Sequence, residues 1–161
     1  MTAAEDLARP AGVVRGFRHA VGMTELPADR AVPPVISVML IVPDADAATA
    51  WYKTALGATE LWNLGGVVGL EIAGAPFFLH EVNPDKPAET TPDRAGVTSV
   101  RVEMFADDPD RIIERAVAAG ASAGSSIVDH EAPWGTHRQG GFTDPFGHRW
   151  SVGDRSPLGR S

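Results

Sequence analysis

Hydrophobic and polar positions follow one another in the same order along residues 37–60 and again along residues 99–123. The first stretch reads SVMLIVPDADAATAWYKTALGATE and the second SVRVEMFADDPDRIIERAVAAGASA. Each opens with an alternating run, which predicts a strand because successive side chains point to opposite faces of a sheet. An acidic turn follows, and then apolar positions three and four apart, the spacing of a helix with one covered face. Each stretch closes on Gly-Ala. Val42 matches Ala106, Asp44 matches Asp108, and Gly57 matches Gly120 once the second helix is shortened by one residue. Two copies are too few for a solenoid and predict a paired-module domain instead.

The helix signals are local and physical. Asp108 can cap a helix whose first residue is Pro109, where a missing N–H costs nothing. Ile112, Ile113, Ala116 and Val117 then share one stripe, with Arg111, Glu114 and Arg115 outside it. Gly120 stands where a left-handed terminal residue is wanted. In the first copy Asp44 caps, Ala48, Tyr52, Ala55 and Leu56 form the stripe, and Gly57 ends it. After each helix the period shortens to that of strands, over 59–63, 67–72 and 76–82, then over 125–130, 136–143 and 148–152. Asp144-Pro145-Phe146-Gly147 is a turn signal before the last strand.

Residues 83–96, rich in Pro and charge and without periodicity, read as a linker. The organisation expected is an N-terminal extension over 1–32, a surface arm or mobile tail. A first βαβββ module follows over 33–83, a linker over 84–96, a second module over 97–153, and a frayed tail over 154–161.

Composition narrows the chemistry. The 161 residues include no cysteine, so disulfides, thiolate nucleophiles and Cys-based metal centres are excluded. A formal charge of −7 without a Lys/Arg stripe argues against nucleic acid. No run approaches the ~18 consecutive apolar residues of a membrane span, and the N-terminus lacks a secretory pattern. The expectation is a cytoplasmic protein without a membrane partner. Five histidines remain as the neutral-nitrogen ligands or near-neutral proton carriers.

Two βαβββ halves, first strands running into V-P-D and A-D-D, and the closing DPFGHRW of residues 144–150 carry a family likeness. Over residues 33–153 the chain resembles the glyoxalase/bleomycin resistance protein/dioxygenase (vicinal oxygen chelate) superfamily, and its ending is most similar to the PhnB-like branch. The resemblance implies an α+β fold whose two modules form a curved mixed sheet around a concave groove, paired or domain-swapped in a homodimer. In metal-using members each half supplies one ligand from its first strand and one from its last. Those positions fall on Ser37, His80, Arg101 and Ser151. Only His80 is an ordinary ligand, and Arg101 is a permanent cation with no lone pair. No metal or other cofactor is therefore expected.

Alternation places Val100, Val102 and Met104 toward the helices and Arg101, Glu103 and Phe105 toward the groove. Ser37, Met39 and Ile41 line it in the first copy, with Phe78, His80, Arg149 and Ser151 from the last strands. Trp62 and Trp134 add rings that could stack on a ligand. The candidate ligand-binding set is thus Ser37, Met39, Trp62, Phe78, His80, Arg101, Glu103, Phe105, Trp134, Arg149 and Ser151. Blander readings stand beside it. Arg101 and Glu103 can simply pair; His80 can be a hydrogen-bonded groove residue; His148 and Trp150 can pack on a helix. His130 and His137 flank a hairpin with no metal spacing, Trp51 and Tyr52 suit a core or dimer contact, and Asp107 and Asp108 suit capping.

The function expected is binding of a hydrophobic, aromatic small molecule without transforming it, as in sequestration of an antibiotic. The alternative is a lyase, isomerase or dioxygenase of the same superfamily, with Glu103 or His80 as base and Arg101 stabilising an enolate-like anion. A ligand-free scaffold is a third reading.

Overall fold

The computed structural model describes residues 34–159; the extension over 1–32 and the last two residues lie outside the described residues. The first module runs β1 (Met39–Val42), α1 (Ala45–Leu56), β2 (Thr59–Asn63), β3 (Val67–Ile72) and β4 (Ala75–Glu81). The second runs β5 (Arg101–Phe105), α3 (Pro109–Ala118), β6 (Ser122–Ala123), β7 (Val128–Ala132), β8 (Gly135–Thr143) and β9 (Arg149–Gly153). Between them lies a one-turn helix, α2 (Pro92–Ala95).

The sheets share a topology: order β1-β4-β3-β2 in one, and β5-β9-β8-β6 in the other with β7 paired to β8. The first strand of each pairs parallel to the last, and the remaining pairs are antiparallel. Both long helices start as their sequences dictate. Asp44 accepts from the Ala47 N–H at 2.8 Å and Asp108 from the Arg111 N–H at 3.0 Å. Each cap satisfies a donor that the first helical turn leaves free. Glu81 adds an anion at the start of α1, accepting from the Ala45 N–H at 2.9 Å.

The helices of the two modules pack against each other, each covering one face of its own sheet. Trp51 Nε1 donates to Ala119 O at 2.8 Å, tying the end of α3 to α1. At the centre of the joint Tyr52 is buried among Phe77, Phe146 and Trp150. Its hydroxyl donates to Asp144 Oδ2 at 2.6 Å, and that oxygen also accepts from Trp150 Nε1 at 2.9 Å. The other oxygen of Asp144 accepts from the N–H groups of Phe146 and His148. One buried carboxylate therefore satisfies four donors from both modules. Burial and this carboxylate push the Tyr52 hydroxyl well above its ordinary range.

Four sequence expectations are corrected. Residues 92–95 are helical, not bare linker, because Pro92 opens the turn and Gly96 closes it at φ 70°; four residues are too few to show a period. The turn docks on Gly147, where a Cβ would lie 2.7 Å from the Asp93 nitrogen and φ is 92°, so both space and backbone demand glycine. The strand expected over 125–130 begins instead at Val128, after the short β6. Its start is set by pairing with β8, which runs Val128 to Gln139 through Ala132 to Gly135. Val117 is 39% exposed, because the covered stripe of α3 turns through Ala116 toward Ala119 and Trp51. The tail is not frayed through residue 159. Asp154 accepts from the Arg138 N–H at 2.8 Å and the Ser156 N–H at 2.9 Å, and a 3₁₀ turn spans Ser156–Leu158. Among the described residues no helix is long and apolar enough to cross a membrane.

Candidate functional site

Each sheet keeps one face on the helices and turns the other away from them. On the open face of the first sheet a single row crosses all four strands: Met39 on β1, Phe78 on β4, Gly69 on β3 and Trp62 on β2. A bulge between Glu60 and Trp62 sets this register, bringing the indole opposite the glycine. A Cβ at Gly69 would sit 2.5 Å from Trp62 Cε2, so the absence of a side chain lets the ring lie across the strand. It reaches Phe78, with centroids 5.7 Å apart and planes at 28°. Trp62 remains 40% exposed and Met39 48% exposed, which leaves an aromatic platform open to a planar ligand.

His80 lies in the next row, between Ile41 and Val67. Its Nδ1 donates to Glu81 O at 2.6 Å, which fixes the ring and leaves Nε2 as the lone-pair nitrogen.

The second sheet carries a different open face. Arg101 pairs across to Arg149, Glu103 to Ser151, and Phe105 to Gly153. Arg101 and Glu103 form an exposed ion pair, Nε donating to Oε1 at 3.1 Å. Ser151 is buried and Arg149 exposed. Ser37, just ahead of β1, donates its hydroxyl to Pro76 O at 2.6 Å. Trp134 stands on the tip between β7 and β8, 56% exposed, and joins neither row.

The register bears directly on the metal positions. Met39 pairs with Phe78 as Glu103 pairs with Ser151, so Phe78 is the first-module counterpart of Ser151, and His80 is the counterpart of Gly153. The matched corners are then Ser37, Phe78, Arg101 and Ser151. A phenyl ring and a guanidinium offer no lone pair, and these residues do not fit a four-ligand divalent centre. Among the described residues no three His, Asp or Glu side chains are placed to hold a metal ion.

One residue outside the sequence-derived set belongs to the same open surface. His137 on β8 pairs across to His130 and has a largely buried ring whose Nδ1 lies 2.9 Å from Asp154 Oδ1 and 3.0 Å from Ser156 Oγ. Its Cε1 and Nε2 fill the space a Cβ at Gly153 would take, and its ring centroid is 6.5 Å from that of Phe105. Hydrogen bonds from Ser156, the Arg138 N–H and His137 hold the Asp154 carboxyl well below the usual carboxylate range. The one sequence clue was strand parity through β8, which puts His137 on the face of Phe105.

A family model described as the Glyoxalase/Bleomycin resistance protein/Dioxygenase superfamily matches residues 35–152. An uncharacterised protein of Mycobacterium tuberculosis (strain ATCC 25618 / H37Rv), Rv0887c, is 35% identical over 130 residues, covering 76% of this chain and 75% of its own. Among solved structures, TioX from Micromonospora sp. ML1 superposes with a TM-score of 0.59 at 23% identity, covering 76% of this chain and 98% of that one. The fosfomycin resistance protein FosX from Mesorhizobium loti does so at 0.54 and 17%, covering 76% and 92%. At these identities the two structures speak for the fold alone.

Proposed function

The chain belongs to the glyoxalase/bleomycin resistance protein/dioxygenase superfamily, and from that premise we propose that it binds a hydrophobic aromatic small molecule and holds it unchanged. The reading is sequestration, of the kind that confers resistance to an antibiotic. The observation that carries it is the row Trp62–Gly69–Phe78–Met39, a stacking surface built by a bulge and a glycine and left open. Its ring lies over Gly69 and against Phe78 yet stays 40% exposed, so it stabilises the fold less than a core ring does. The closing DPFGHRW motif supports placement in the PhnB-like branch.

A ligand held on one open sheet is half covered, whereas small-molecule sites bury most of their ligand. We take the cover to be a second copy of this chain. β1 and β5 each end their sheet without a neighbour among the described residues. The apolar Val35, Ile36, Val97 and Val100 stand exposed close to those strands. A symmetric dimer through such edges would set the aromatic face of one protomer against the charged face of its partner, giving two grooves. The groove would then offer a ring platform on one side and Arg149 with the Arg101–Glu103 pair on the other. This suits a flat ligand with a few polar groups and uses no metal.

Titration of the protein with aromatic antibiotics, followed by tryptophan fluorescence, tests the reading. Saturable quenching with the compound recovered intact by mass spectrometry is expected. Recovery of a converted product would favour the alternative, a lyase, isomerase or dioxygenase of the same superfamily. That alternative rests on Glu103 and His80 standing on open sheet faces, where either could take a proton.

A further inference from the structure

We propose that His137 is the proton-accepting group of the second sheet's open face, taking the hydroxyl proton of a phenol or enol that lies beside Phe105. The proposal rests on the reading of this chain as a binder of aromatic small molecules and names the polar half of that ligand.

A carboxylate only accepts, so the 2.9 Å contact with Asp154 requires the hydrogen on Nδ1 and leaves the lone pair on Nε2. Asp154 is itself fixed by the N–H groups of Arg138 and Ser156, so the imidazole has one orientation. That orientation carries Nε2 across Gly153, on the side of the sheet that Phe105 occupies. Nε2 has no hydrogen-bond partner among the described residues. A histidine serving only to pin the C-terminal turn would need Nδ1 alone. It would not require a glycine on the neighbouring strand to clear a path for its other edge.

The charged neighbours leave the lone pair uncontested. On the same strand Arg138 turns to the covered face, where it pairs with Asp110 and Asp129. Across on β7 stands His130, and on β5 Glu103 is held by Arg101. In the tail Arg155 turns to Asp107, which leaves Asp154, Ser156 and the cross-strand His130 as the groups facing the ring. In the transfer the ligand O–H bond breaks and an Nε2–H bond forms. The products are a phenolate or enolate and an imidazolium, which donates from Nε2 to the new anion and from Nδ1 to Asp154. An oriented carboxylate stabilises that cation.

The test uses the full chain with 4-nitrophenol and its methyl ether, 4-nitroanisole, which share a ring and differ in the acidic proton. The phenol is expected to bind about tenfold more tightly, the worth of one charge-assisted hydrogen bond. Bound phenol should show the phenolate absorption band at a pH where free phenol is neutral. His137→Gln should abolish the band and bring the affinity for the phenol down to that for the ether. Asp154→Asn, which retains the imidazole, should move the appearance of the band to higher pH. Equal affinities in the wild-type protein with no phenolate band would overturn this inference and leave the aromatic platform standing. Failure of both compounds to bind would overturn the platform as well.

Discussion

At matched positions the first sheet sets Met39 against Phe78 and Ile41 against His80, while the second sets Glu103 against Ser151 and Phe105 against Gly153. On their covered sides the same strands agree. Leu40 and Val42 on β1, like Val102 and Met104 on β5, pack into one apolar core. Strand order, the parallel first pair and the capped helix also recur. Burial explains the contrast. A covered face must exclude water and pack densely, so its chemistry is held to a narrow range. An open face has no such demand, and here it carries aromatic rings on one sheet and charge on the other. On the proposed reading, one supplies a stacking surface and the other polar and proton-accepting groups.

Breaking what the modules share should have the largest effect. Asp144→Ala leaves the Tyr52 hydroxyl, the Trp150 N–H and two backbone donors without their acceptor inside the joint. A loss of about 3–5 kcal/mol is expected in urea unfolding; a loss under about 1 kcal/mol would show that the joint does not depend on it. Gly69→Val acts on the open face alone. The new side chain would meet Trp62 at once and swing the ring into solvent. We expect aromatic ligands to bind roughly tenfold or more weakly, the near-ultraviolet circular dichroism of the stacked pair to disappear, and the unfolding midpoint to move little. Trp62→Ala removes one ring and should weaken binding by about 0.5–1.5 kcal/mol, the usual worth of an aromatic pair.

Much of this arrangement was legible in the residues. The repeat, both capped helices and the Tyr52 stripe follow from short-range patterns, since a cap and its acceptor lie three residues apart and a stripe repeats every turn. What stayed hidden depends on distant partners. Asp144 looks like an ordinary turn aspartate, and only its bond to Tyr52, far back in the chain, makes it a buried hub. The match of Phe78 to Ser151 needed the register of a parallel pair, which alternation alone does not fix. His137 looked like a hairpin residue because its partner Asp154 lies on what reads as a tail. Trp134 promised a stacking ring, but a two-residue turn carries it out to a tip.

Two smaller effects sharpen the comparison on the second module. The Asp154 carboxyl has a folded-state pKa below its unfolded value of about 3.9. Its contribution to stability is therefore complete above that value and is lost as pH falls toward the depressed one. Acid unfolding followed by circular dichroism should be less steep below about pH 4 in Asp154→Asn than in the wild-type protein. An unchanged slope would contradict the network around His137. Arg101→Ala removes an exposed ion pair and should cost at most about 1 kcal/mol of stability, while altering the affinity for ligands that carry polar groups.

The most direct test of the account is a crystal structure of the protein with a bound nitroaromatic compound. The account predicts continuous density for an intact ring stacked on Trp62 and Phe78. A ring lodged elsewhere with that row left bare, or density for a transformed product, would contradict it.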